Sequence, residues 1–168
     1  MASSQFRNLK GFSRGLVRTY MKSPRILSVD FDPSVLSSRN AILERAGYTV
    51  ISARKTQEFR DLLQRGQFDL ALLGTSISMP EKKLICSEVK KKNPQVWIVA
   101  CCRGTEVIEA LREKDLVDAV VDPFDGGPTA LIQAVNILLL FQQYCDEIKT
   151  VRKPVGSVPL KWKSSQAS

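Results

Sequence analysis

The sequence predicts an α/β protein in which a parallel β-sheet is covered by helices on both faces. Three observations predict it. From Arg25 onward, short apolar runs rich in β-branched residues alternate regularly with longer stretches of helical spacing. The apolar runs are near-continuous, as strands buried on both faces require. The helical stretches also carry start and stop residues at their ends. Five strand–helix units follow one another, and such units join parallel strands through right-handed crossovers.

The first strand is read over 25–30, Arg-Ile-Leu-Ser-Val-Asp. Val35/Ile42/Ala46 and Leu36/Leu43 then mark a helix, with Asp32 as N-cap, Pro33 at its first position and Gly47 closing it. A second strand, 48–52, leads to a helix carrying Phe59, Leu62 and Leu63. The third, 68–73, leads to a helix that starts near Pro80 and carries Ile85 and Val89. The fourth, 96–101, leads to one that starts near Thr105 and carries Val107, Ile108 and Leu111. The fifth, 119–121, leads to a helix marked by Leu131, Val135 and Leu138. In an open sheet of this kind ligands gather outside the carboxyl ends of the strands. The loops of interest are therefore Phe31-Asp32, Gly74 to Met79, Cys101 to Gly104 and Asp122 to Gly127.

A length of 168 residues, 43% hydrophobic and 25% charged, suits one soluble domain with tails and argues against disorder, collagen or a membrane bundle. Histidine is absent, which removes Ser-His-Asp and Cys-His mechanisms, His-bearing zinc sites and any imidazole base. The net charge of +8 is uneven: residues 1–25 carry +6 and 149–168 carry +5, while 26–148 hold 14 bases against 17 acids. A mildly acidic domain at 25–148 thus sits between a basic extension, 1–24, and a basic disordered tail, 149–168. Cys86, Cys101, Cys102 and Cys145 lack C-x-x-C spacing and read as reduced cytoplasmic thiols. The longest strong apolar run, Ile137 to Phe141, is far shorter than the roughly 18–20 residues of a membrane span.

At the loops of interest the chain resembles the receiver domain of bacterial two-component response regulators, over about residues 25–141. The matching stretches are 25–33 (Arg-Ile-Leu-Ser-Val-Asp-Phe-Asp-Pro), 46–50 (Ala-Gly-Tyr-Thr-Val), 67–73 (Gln-Phe-Asp-Leu-Ala-Leu-Leu), Ser78-Met79-Pro80 and Asp122-Pro123-Phe124. The resemblance implies a flavodoxin-like sheet in strand order 2-1-3-4-5 and a place in phosphorelay signalling, where a phosphoryl group passes from a histidine kinase to an aspartate. Such chemistry uses an acidic pair that holds a hard divalent cation, an acceptor Asp, a hydroxyl and a lysine. Here Asp30 matches the first acid, but Phe31 stands in place of the second. The acceptor position is Gly74 counted from the strand, or Ser76 counted from Met79-Pro80. Cys101 takes the hydroxyl position and Asp122 the lysine position. A phosphoaspartate beside Asp122 would crowd like charges, at a cost on the order of several kcal/mol. The expectation is a degenerate pseudo-receiver: a non-catalytic signalling module that needs no cofactor and works by binding protein partners.

Other candidates are weighed against plainer readings. Asp30, Asp32 and Asp122 are candidate ligands for a hard cation, but the plainer reading makes Asp32 a helix cap and the other two solvated loop acids. Cys101-Cys102 beside Arg103 is a candidate reactive pair, although adjacent strand residues face opposite ways and one is then core. The last helix carries Ile137, Leu139, Leu140 and Phe141 around its main stripe, wider than a sheet requires, which points to a contact surface formed by Ile137, Leu140, Phe141 and Tyr144, with a homodimer as one outcome. Arg7, Lys10, Arg14, Arg18 and Lys22 oppose Phe6, Leu9, Phe12, Leu16 and Tyr20, the pattern of a basic amphipathic helix, while Met21 offers an alternative translation start. The alternative function is a nucleic-acid or anionic-surface binder acting through the two basic segments.

Overall fold

The computed structural model describes residues 23–105, 108 and 115–151. Five parallel strands, β1 (Arg25–Val29), β2 (Thr49–Ala53), β3 (Leu70–Leu73), β4 (Trp97–Cys101) and β5 (Ala119–Val121), form one sheet in the order β2-β1-β3-β4-β5. Four helices are described in full: α1 (Pro33–Arg45), α2 (Thr56–Arg65), α3 (Met79–Lys92) and α4 (Gly127–Val151). Thr105 and Ile108 are helical, while Val107 and Leu111 of the expected fourth helix lie outside the described residues. The architecture is the expected flavodoxin-like one.

The central strands are buried along nearly their whole length, so alternate residues feed two cores. Leu27, Val29, Ala71, Leu73 and Ile98 pack under α2 and α3, against Phe59, Leu63, Ile85 and Val89. Ile26, Leu70, Leu72, Val99 and Val121 pack under α1 and α4, against Leu43, Leu131, Val135 and Leu139. The stripe of α4 therefore ends on Leu139, not on the expected Leu138, which is half-buried.

Local chemistry accounts for the helix ends. Asp32 Oδ1 accepts hydrogen bonds from Ser34 N and Val35 N at 2.8 and 3.2 Å, and Pro33 occupies the first turn of α1. Gly47, at φ +94°, turns the chain out of α1 into β2. The Glu81 carboxylate accepts from Ser78 N and Ser78 Oγ at the start of α3. Asp118 Oδ2 takes both the Lys90 ammonium at 2.8 Å and the Ile98 amide at 2.7 Å, tying α3 to the entry of β4. At the other end of the chain α4 runs to Val151, so 149–151 are helical where a disordered tail was expected. The amphipathic pattern of 1–22 lies outside the described residues, as does 152–168. No described helix is long and apolar enough to cross a membrane.

Candidate functional site

The register of the sheet lines up the residues that leave its carboxyl edge. Val29 pairs with Leu73 and Leu73 with Ala100, so Asp30, Gly74 and Cys101 stand side by side, and Cys101 pairs with Val121, the residue before Asp122. The expected site residues are therefore neighbours in the fold. Ser76 joins them from the next turn of the loop: its hydroxyl donates to Asp30 Oδ1 and accepts from the amides of Phe31 at 3.1 Å and Asp32 at 3.0 Å. Phe31 turns to pack against the α2/α3 core.

The centre of this edge is a buried ion pair that the sequence reading missed. Residues 26, 28 and 30 point to the α1 face of the sheet by strand alternation, and α1 sends a cation down onto them. Arg39 Nη1 donates to Asp30 Oδ2 at 3.1 Å, with the side chains 7% and 0% exposed. Arg39 Nη2 donates to Ser28 Oγ and to the Val29 carbonyl, both at 3.0 Å, and Nε reaches Ser28 Oγ at 3.3 Å. The Asp32 amide completes the set on Asp30 Oδ1 at 3.1 Å. Asp30 is thus a fully buried, paired carboxylate and not the solvated loop acid that was expected. The inner stripe of α1 is Leu36/Arg39/Leu43, whereas Val35 is exposed, Ala46 is exposed and Ile42 only half-buried. Arg39 occupies the i+3 position of that stripe, so a lone cation between two leucines was the signal available.

Gly74 is buried against this pair. An ideal Cβ built on it would lie 1.6 Å from Asp30 Oδ2 and 2.6 Å from Arg39 Nη1, far inside any contact distance. The position that follows β3 therefore excludes every side chain, an aspartate included, while the pair stands. Asp30, Asp32 and Asp122 are not gathered into a cation site: among the described residues no group of three His, Cys, Asp or Glu is placed to hold a metal ion. Asp32 caps α1, and Asp122 Oδ1 accepts from the Phe124 amide at 2.9 Å in the loop after β5.

A second buried cation stands behind the fourth strand. Lys82, 3% exposed on α3, donates from Nζ to the Cys101 carbonyl at 2.9 Å and lies 3.7 Å from Cys102 Sγ. Cys101 and Cys102 do face opposite ways, Cys101 into the α1/α4 core and Cys102 toward Met79 and Ile108, but both are core. Burial pushes both thiols above the ordinary thiol range, outweighing the nearby cations, so neither is a ready thiolate at neutral pH. The stripe Lys82/Ile85/Cys86/Val89 carried the same kind of signal as Arg39, a cation in register with buried apolar residues. Far from this edge, Ile137, Leu140, Phe141 and Tyr144 are all exposed on α4, at 65, 63, 55 and 62%, while Leu139 is buried. The Phe141 ring meets Trp97 edge-on at 5.9 Å.

No protein-family model and no curated protein matches the chain. Solved structures share its fold. A CheY-like response regulator receiver domain protein from Methanospirillum hungatei JF-1 is 24% identical, with 73% of this chain and 98% of that one covered at a TM-score of 0.61. A response regulator from Thermotoga maritima, in complex with Mg2+ and BeF, is 22% identical over 68% of this chain and 98% of its own, at a TM-score of 0.60. The signal receiver domain of an HD domain-containing protein from Pseudomonas fluorescens Pf-5 is 17% identical over 73% and 99%, at 0.64. The fold is that of receiver domains.

Proposed function

We propose that the chain is a receiver-like signalling module of the two-component or phosphorelay type that works without phosphorylation, by protein–protein contact, and that it is not an enzyme. The observation that carries this reading is the Arg39–Asp30 pair packed against Gly74. A receiver that accepts a phosphoryl group needs an acceptor carboxylate, a divalent cation beside it and a free cationic side chain to balance the transferred charge. Of the two candidate acceptor positions, Gly74 has no room for a side chain while the pair stands, and Ser76 carries a hydroxyl bound to Asp30. The carboxylate that would share a metal already holds a guanidinium, and both buried cations of the edge, Arg39 and Lys82, are committed to the chain's own oxygens. Asp122 adds a carboxylate where a lysine would serve.

With the chemistry absent, the output of such a module is its surface. The exposed apolar residues of α4 supply the contact face, for a signalling partner or a second copy of the chain. Incubation with acetyl phosphate and Mg2+ followed by intact-mass measurement tests the central claim. The unmodified mass is expected throughout, and stoichiometric aspartyl phosphate would overturn the reading.

A further inference from the structure

Between α1 and the first turn of α4, at the carboxyl edge of the sheet, lies a cavity of about 370 Å3. Its existence follows from a feature of α1. That helix carries two apolar stripes: Leu36 and Leu43 go down onto the sheet, while Val35 and Ile42 face the cavity together with Val121 and Leu131. The loop from β5 into α4 keeps the opposite wall away through two residues in the left-handed region, Gly126 at φ +97° and Gly127 at φ +55°, and a Cβ added to Gly127 would meet nothing within 4 Å.

The polar part of the lining is sparse and placed. Ser34, Ser38 and Thr75 are its hydroxyl-bearing residues, and Arg39 is its cation. Of the five N–H bonds of that guanidinium, Nε uses one, Nη2 two and Nη1 one on the partners described above. The second Nη1 N–H has no partner among the described residues. Because Asp30 neutralises the guanidinium at 3.1 Å, the site offers a hydrogen-bond donor without a net charge to attract an anion. The volume falls in the range of small-molecule pockets, which begin at roughly 300 Å3.

From the cavity and from Arg39 in its lining we infer that this chain binds a neutral, largely apolar small molecule that presents one carbonyl oxygen to Arg39, with Ser38 and Thr75 beside it. The inference does not depend on whether the site can be phosphorylated.

Benzophenone is a suitable probe, since it pairs two apolar rings with a carbonyl, and diphenylmethane has the same outline without the oxygen. Titrated into the full ¹⁵N-labelled chain, benzophenone should give saturable shifts confined to amides around Val35, Ser38, Thr75 and Leu131. Diphenylmethane should bind at least fivefold more weakly. Ser38→Phe, and independently Ile42→Trp should the first side chain swing outward, should each fill the space and weaken benzophenone binding at least tenfold while keeping the native spectrum elsewhere. Shifts that do not saturate, or that are spread over the surface, would overturn the inference. So would full binding to both filled variants, equal affinity for the two probes, or a cavity already closed by another part of the chain or a second copy, which would show as no shift at all.

Discussion

Replacing Arg39 by Met keeps most of the length of the side chain and removes its charge and its donors. The carboxylate of Asp30, 0% exposed, is then left with the Ser76 hydroxyl and the Asp32 amide as partners, and Ser28 Oγ and the Val29 carbonyl each lose a donor. Removing one partner of a buried pair costs about 3–5 kcal/mol, because the other charge stays behind uncompensated. Set against a total stability of roughly 5–15 kcal/mol, the loss is large but survivable for a domain of this size. Urea unfolding followed by far-UV circular dichroism measures it. The double variant Asp30→Asn/Arg39→Met should recover at least about 2 kcal/mol relative to the sum of the single losses, the signature of direct coupling. An Arg39→Met loss below about 1 kcal/mol, additive with Asp30→Asn, would refute the assignment of this pair as the centre of the edge.

Gly74→Ala should destabilise by about 3 kcal/mol or more, since its methyl would have to displace the Asp30 carboxylate it meets at 1.6 Å; thermal unfolding checks it. The variant Phe31→Asp/Ser76→Asp/Asp122→Lys, which supplies the missing acids and lysine, should bind no Mg2+ by calorimetry until Arg39→Ala is added to free Asp30. Burial pushes the Cys86 thiol from 9.0 up to about 12, so the contribution of Cys86 to stability should be flat below pH 9 and fall above it by about 1.4 kcal/mol per pH unit, reaching about 4 kcal/mol by pH 12. The thiol stays protonated in the folded chain while the unfolded chain ionises, and Cys86→Ala should show a shallower alkaline decline. Leu140→Glu and Phe141→Glu should leave the domain folded and lower any self-association seen by sedimentation; loss of the fold would place these side chains in the core.

Much of the fold was legible because its strands are apolar on both faces and its turns carry distinctive residues. The five strands fall within two residues of their expected bounds, and the helix starts at Pro33 and Pro80 follow from the chemistry of the first turn. What failed was face assignment within α1. Val35, Ile42 and Ala46 outnumber Leu36 and Leu43, so a count of apolar residues favours the stripe that ends at the cavity and the surface, while the true inner face contains an arginine. Arg39 and Lys82 were passed over for the same reason: a cation ordinarily marks solvent, and its register with buried apolar residues is a weak signal until the partner on a distant strand is known. Asp30 was located correctly but given the wrong environment, because its burial is created by Arg39 and cannot be read at position 30. The crowding at Gly74 is likewise a property of three residues, Asp30 after β1, Arg39 on α1 and Gly74 after β3, meeting in space.

That three-way crowding imposes an order on change. Any side chain at position 74 collides with Asp30 and Arg39, so it is accepted only when one of them shrinks or is displaced from the pair. Shrinking Arg39 first strands a buried carboxylate, and shrinking Asp30 first strands a buried guanidinium. Each route into the neighbouring sequences passes through a weakened intermediate, whichever residue moves first. Single-substitution scans at this edge will find position 74 intolerant for reasons that belong to positions 30 and 39, and only libraries that vary all three together will reveal which residues the backbone itself could carry.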